Sequence, residues 1–120
     1  MTVKTSSIEK RVVIMPEADD FLKSLPEILL REGYVSTYTR AARIMNDIVD
    51  FIYQLDDTPH YSLPLNKQSI YNQYASQIWV AFFRRKTSRR TTWYIFFEKT
   101  DDRYIVHHIA NNWTEGQNIR

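Results

Sequence analysis

Cysteine is absent from this 120-residue chain, which excludes disulfide scaffolds, thiol nucleophiles and thiolate zinc sites in one step. Its absence also fits a reducing compartment. Glycine occurs twice and proline four times, too few for long flexible linkers. So glycine-poor a chain has no phosphate-cradling loop, dinucleotide fingerprint or nucleophile elbow. No cofactor is expected. No apolar run approaches the roughly 20 residues that span a bilayer, and residues 1–11 are polar, without the apolar stretch of a secretory signal. No membrane contact is expected, and the cytoplasm is the expected location.

What is present is material for a core. Hydrophobic residues make up 43% of the chain and aromatic residues 14%, which argues against disorder of the whole. The length fits a single domain. Charge is divided unevenly. Residues 1–60 carry 7 Lys/Arg against 10 Asp/Glu, and residues 61–120 carry 9 against 4, so the halves hold −3 and +5. That asymmetry points to a polyanionic or acidic partner for the second half.

The pattern along the chain predicts an α+β fold in the order β-α-α-β-β-β. Residues 8–15 end in a β-branched run and read as a strand. Pro16 follows, with Glu17, Asp19 and Asp20 against the positive end of a helix dipole, and the apolar spacing predicts a helix over 16–31. Pro26 is expected to kink or divide it, and Gly33 to stop it. Ser36 or Thr37 can cap a second helix, whose period runs to about Asp56. Residues 60–72 read as a loop or irregular edge. Three strands are expected over 76–84, 91–99 and 103–110, forming an antiparallel meander.

Period two sorts these strands into faces. Ile78, Val80 and Phe82 oppose Trp79, Ala81 and Phe83, while Trp93, Ile95 and Phe97 oppose Tyr94, Phe96 and Glu98. On the last strand Ile105, His107 and Ile109 are expected to oppose Tyr104, Val106 and His108. Both faces are apolar, so the sheet needs a second cover or a partner, and parity leaves open which face meets the helices.

Adjacent His107 and His108 on a strand point to opposite faces, and His60 lies in a distant loop, so no metal site is expected. The chemistry-bearing feature is Arg84-Arg85-Lys86-Thr87-Ser88-Arg89-Arg90, read as a turn with aromatic strands on either side and Trp93 and Trp113 further along. Arginine and lysine bind phosphates, and aromatic rings stack unpaired bases. Arg84, Arg85, Lys86, Arg89, Arg90, Trp93 and Trp113 are therefore the candidate nucleic-acid-binding residues. A solvated hairpin tip is the plainer account of the same charges.

The first strand, the step Met-Pro-Glu-Ala-Asp-Asp-Phe-Leu-Lys-Ser-Leu (15–25), the helical hairpin and the terminal meander together resemble the RelE/ParE toxin superfamily. The RelE-like branch implies a toxin that a cognate antitoxin neutralises and that cleaves messenger RNA at the ribosome without metal. In that chemistry a ribose 2′-hydroxyl attacks the adjacent phosphate, with a base, an acid and stabilising cations. The resemblance implies Arg84, Arg85, Arg89 and Arg90 as matching cations, and His107 and His108 as the C-terminal candidates. Of these, Arg84 and Arg90 are the candidate catalytic cations and His108 the candidate acid or base. It also implies a short segment between the central strands, where 84–90 reads as a longer loop. A His-Arg pair is common after the last strand, where this chain has Asn112-Trp113. The ParE-like branch implies instead a non-catalytic inhibitor of a protein such as DNA gyrase. A non-toxic RNA- or protein-binding domain of the same topology is the third possibility.

Overall fold

The computed structural model describes residues 11–85 and 88–112, apart from the side chains of Leu65, Ser69, Ser88, Arg89 and Arg90. The chain opens with β1 (Arg11–Ile14), then α1 (Pro16–Arg31) and α2 (Tyr38–Ile52). A 3₁₀ turn (Leu55–Asp57) leads to β2 (Tyr61–Ser62), α3 (Leu65–Tyr71), β3 (Trp79–Arg85), β4 (Ser88–Lys99) and β5 (Arg103–Asn111). The strands form one sheet in the order β1-β5-β4-β3-β2. β1 runs parallel to β5 at one edge, and the remaining neighbours are antiparallel. The part of the expected first strand before Arg11 lies outside the described residues.

Local signals account for the helical hairpin. Pro16 begins α1 where a missing N–H is harmless, with Glu17 and Asp19 in the first turn. The helix runs unbroken through Pro26, which is buried, so the expected division does not occur. An interior proline costs about 3 kcal/mol. Burying Leu22, Leu25 and Leu29 on the same face returns about 1.5–3 kcal/mol each, which outweighs it. Gly33, at φ +80, ends the helix: its N–H and that of Tyr34 donate back to Leu30 and Leu29. The Thr37 hydroxyl then accepts from the N–H of Arg40 at 3.2 Å, capping α2.

Both helices pack on the same sheet face. Leu22, Leu25, Leu29, Ile48, Ile52 and Leu55 meet Ala81, Trp93, Ile95, Phe97, Tyr104 and Val106 in a single core. The opposite face has its own, smaller core of Leu63, Tyr71, Ile78, Val80, Tyr94, Phe96 and Ala110. Of the loop or irregular edge expected over 60–72, the edge is found as β2, while the helix α3 corrects the loop. The segment forms β2 and α3, and the Tyr71 ring stacks on Phe96 at 4.4 Å. One side chain clips α3 to the sheet. Gln68 accepts from the N–H of Ile78 at 2.8 Å and donates to the carbonyls of Ile78 and Leu63 at 3.0 and 2.9 Å.

Alternation on β5 breaks once. Phe96 pairs with His108 but Phe97 pairs with Val106, so His107 is an extra residue in a β-bulge. Tyr104 and Val106 face the helices, and after the bulge Ile109 does so as well. His108 lies on the opposite face, beside Phe96. The expected sharing of a face by Tyr104, Val106 and His108 is therefore corrected.

At the end of the sheet where β5 begins, Tyr104 donates its hydroxyl proton to Asp56 Oδ1 at 2.9 Å, tying the 3₁₀ turn to the core. Burial first, and then the Asp56 carboxylate, push the phenol up to about 12. The folded value lies above the ordinary one, so the stabilisation is complete below pH of about 10 and is lost towards about 12. Tyr104→Phe should therefore flatten the alkaline limb of the stability curve. The parent should lose roughly 2–3 kcal/mol more than this variant across that window, by urea unfolding at stepped pH. Parallel curves would show that the Asp56 contact carries no linkage.

Candidate nucleic-acid interface

The basic segment is a hairpin and not a long loop. β3 extends to Arg85 and β4 begins at Ser88, with Arg85 paired to Ser88, so the expected turn over 85–90 is corrected. Pairing strands bury backbone polar groups that a loop would leave to water, and aromatic residues on both sides draw the ladder outward. Lys86, Trp113 and the side chains of Arg89 and Arg90 lie outside the described residues.

The candidates that are described fall into different settings. Arg84 is exposed and donates from Nε and Nη2 to Thr92 Oγ1 at 3.3 and 3.0 Å, which holds the guanidinium over the sheet end. Arg85 points to the helix side and pairs with Asp47 of α2 at 2.8 Å, its side chain only 16% exposed. That carboxylate neutralises it, so Arg85 ties the hairpin to α2 and has little charge left for a phosphate. Trp93 is 3% exposed and belongs to the helix-side core, which corrects its assignment as a base-stacking ring.

The two histidines are placed by the bulge. His107 Nε2 lies 3.3 Å from Glu98 Oε1, and the Tyr74 ring stacks near both imidazoles, 5.8 Å from His107 and 5.5 Å from His108. Both rings thus gather around Tyr74, and the expected opposition of the pair is corrected. Among the described residues no group of three His, Cys, Asp or Glu is arranged to hold a metal ion. The ladder puts His108 opposite Phe96, whereas Arg84 bonds to Thr92 beyond Tyr94. Four residues along and two strands across correspond to about 13 Å and about 10 Å. The two side chains occupy opposite corners of one face, so they do not converge on a single phosphate.

Two further arginines complete the basic end. Arg40 and Arg43 project from the start of α2 into a cleft of about 480 Å³, which they share with Tyr34, Thr91, Trp93, Asn111 and the Asp47-paired Arg85, while Arg84 lies on the other face. Arg40 and Arg43 are both exposed. Among the described residues none of Arg40, Arg43 and Arg84 has an ion-pair partner. Cations near a helix N-terminus are opposed by its dipole, by about 0.3–1 kcal/mol each. Arg40 in the first turn after the Thr37 cap, with no acid beside it, was legible in the sequence as a cation placed against the dipole, and Arg43 follows one turn later.

Asn112, just after β5, closes the sheet end. Its Oδ1 accepts from the N–H of Thr92 at 2.9 Å, and its own N–H donates to the Thr92 carbonyl at 3.0 Å. It is a strand clip and supplies no base. No helix among the described residues is long and apolar enough to cross a membrane.

No protein-family model matches the chain, and neither curated proteins nor solved structures give a match. The arginine geometry alone therefore supports a function. Two uncompensated guanidinium groups in a cleft on the helix side, with a third on the other face at the same end of the sheet, suit a phosphate backbone that wraps that end.

Proposed function

We propose that this protein is a RelE/ParE-like toxin that binds RNA at the arginine-lined end of its sheet and is held inactive by a cognate antitoxin. The observation that carries the reading is that Arg40 and Arg43 in the helix-side cleft, and Arg84 on the other face, all unpaired among the described residues, lie at the sheet end that Asn112 closes. Guanidinium groups hold phosphates bidentately and stabilise charge that builds on the phosphate as a 2′-hydroxyl attacks it. An acidic antitoxin segment over the same arginines would silence them.

In the RelE-like form the protein cleaves messenger RNA at the ribosome without metal, with His108 as acid or base and Arg84 and Arg90 as cations. His108 and Arg84 sit at opposite corners, so in such a cleavage Arg84 would hold a neighbouring phosphate of a strand lying across the face, and not the phosphate that His108 serves. The ParE-like form, which blocks a protein such as DNA gyrase without catalysis, is favoured by one observation. The residue in place of the family's His-Arg pair is a structural asparagine.

Controlled expression in cells, followed by mapping of messenger RNA ends, separates the two. Growth arrest with new RNA ends supports the ribonuclease, and His108→Ala should then reduce cleavage by about 10²–10⁴-fold, with chelator present and RNA binding retained. Arrest without new ends but with loss of supercoiling supports the inhibitor. Growth unaffected by expression removes the toxin reading.

A further inference from the structure

No aspartate or glutamate lies between Asp57 and Glu98, a stretch that carries Lys67, Arg84, Arg85, Lys86, Arg89 and Arg90. This stretch supplies β2, α3, β3 and most of β4, and with them most of the sheet face away from α1 and α2. α3 covers only part of that face. Its Tyr71 stacks on Phe96, and the next row towards the hairpin pairs Phe82 with Tyr94. Tyr94 is buried and stands nearly perpendicular to Phe82 at 5.4 Å, which sets the plane of the Phe82 ring. The Tyr61 ring of β2 lies 6.0 Å from Phe82 on its other side. Phe82 is 40% exposed and Tyr61 56%, and neighbouring rings left to water mark a contact surface.

Charge beside the rings selects the occupant. Arg84 donates from Nε and Nη2 to Thr92 Oγ1, two residues before Tyr94, so the guanidinium is held next to the aromatic row. That engages two of its five N–H groups, and no carboxylate pairs with it among the described residues. The acids of this end, Asp47 and Asp50, belong to α2 on the helix side, and Asp47 is bound by Arg85. An occupant of this corner meets positive charge and flat aromatic surface together. An unpaired nucleotide, which joins a planar base to a phosphate, answers both. An acidic peptide answers the charge and leaves the rings uncovered.

We propose that Phe82 and Tyr61 form a stacking site for an unpaired base of single-stranded RNA, whose adjoining phosphate Arg84 holds. The site rests on the reading that RNA binds this end of the sheet, and adds that the bases are held as well as the backbone. A duplex keeps its bases stacked on one another, so it gains nothing from these rings.

Fluorescence anisotropy with three probes tests the site: a labelled RNA strand of mixed sequence, the same ribose-phosphate strand without bases, and the duplex. The parent should bind the single strand about 5–150-fold more tightly than the base-free strand, the worth of one stacked base. The duplex should show no such gain. Phe82→Leu keeps an apolar side chain without a ring, and should erase most of the preference while leaving the salt slope unchanged. Phe82→Tyr should keep the preference, Tyr61→Ala should reduce it, and Ile70→Ala, exposed on α3, should not alter it. Equal affinity for the strands with and without bases, unmoved by Phe82→Leu, overturns the stacking site and leaves RNA binding to the arginines alone. A polyglutamate peptide that binds as tightly as the strand, and loses affinity in Phe82→Leu, overturns it in favour of an acidic protein. Binding of none of the three probes overturns the site together with the RNA reading.

Discussion

Replacing Arg40, Arg43 and Arg84 together with Gln is expected to weaken RNA binding by on the order of 10²-fold at about 0.1 M salt, and to flatten its salt dependence. Each single-strand phosphate contact adds about 0.7 to the slope of log K against log salt, because a bound cation releases counterions. Three lost contacts should therefore reduce the slope by about 2. The fold should not suffer. All three side chains are exposed, and surface substitutions of this kind stay within about 0.5 kcal/mol. The change at Arg40 also removes a cation from the unfavourable end of α2. Arg85→Gln is the informative contrast, since its charge already meets Asp47 at 2.8 Å. It should leave the slope nearly unchanged while lowering stability, as expected when a half-buried carboxylate loses its partner. Fluorescence anisotropy with a labelled single strand, titrated at four or more salt concentrations, gives both readouts. An unchanged slope in the triple variant would make these arginines solvated surface charges.

The largest loss of stability is expected from Phe97→Ala, about 3–5 kcal/mol by urea unfolding. Phe97 is fully buried between sheet and helices, with its ring edge-on to Tyr104 at 5.5 Å and to His60 at 5.3 Å. Domains are stable by only about 5–15 kcal/mol, so the loss is a large fraction of the total. Phe96→Ala tests the other face. Its ring is equally buried but lies beneath α3, stacked on Tyr71. A loss of similar size would establish the smaller core as a true core. A loss below about 1 kcal/mol, the size expected at a half-exposed ring, would show that α3 covers the sheet loosely.

Local patterns carried much of the fold. Pro16 with its acidic first turn, Gly33, the Thr37 cap and the apolar period of α2 each act within one turn of chain. The aromatic runs of β4 and β5 declare strands in the same way, and parity sorted β3 and β4 into faces as found. What failed depended on partners distant in sequence. α3 is a short polar helix with little to announce it, held by Gln68 reaching Ile78 ten residues later. The candidate site divided along the same line. Arg84 is exposed as its composition suggested, but Arg85 is taken up by Asp47, 38 residues away. Trp93 was legible as an aromatic ring near arginines, and its burial was not, because only the arrival of α1 and α2 covers it.

From its residues alone, this chain determined an α+β domain with a helical hairpin, an antiparallel meander and a basic, aromatic second half. Those properties follow from backbone propensity and from periodicity along one element, which need no knowledge of neighbours. Tertiary structure alone decided three things: which sheet face the helices cover, which cations remain unpaired, and where the two histidines point. The last turns on a single extra residue. With His107 bulged, His108 joins Phe96 on the face away from α1, far from the corner where Arg84 lies. Register and pairing are set by contacts between strands, and one residue of slip reverses a face that propensity leaves unchanged.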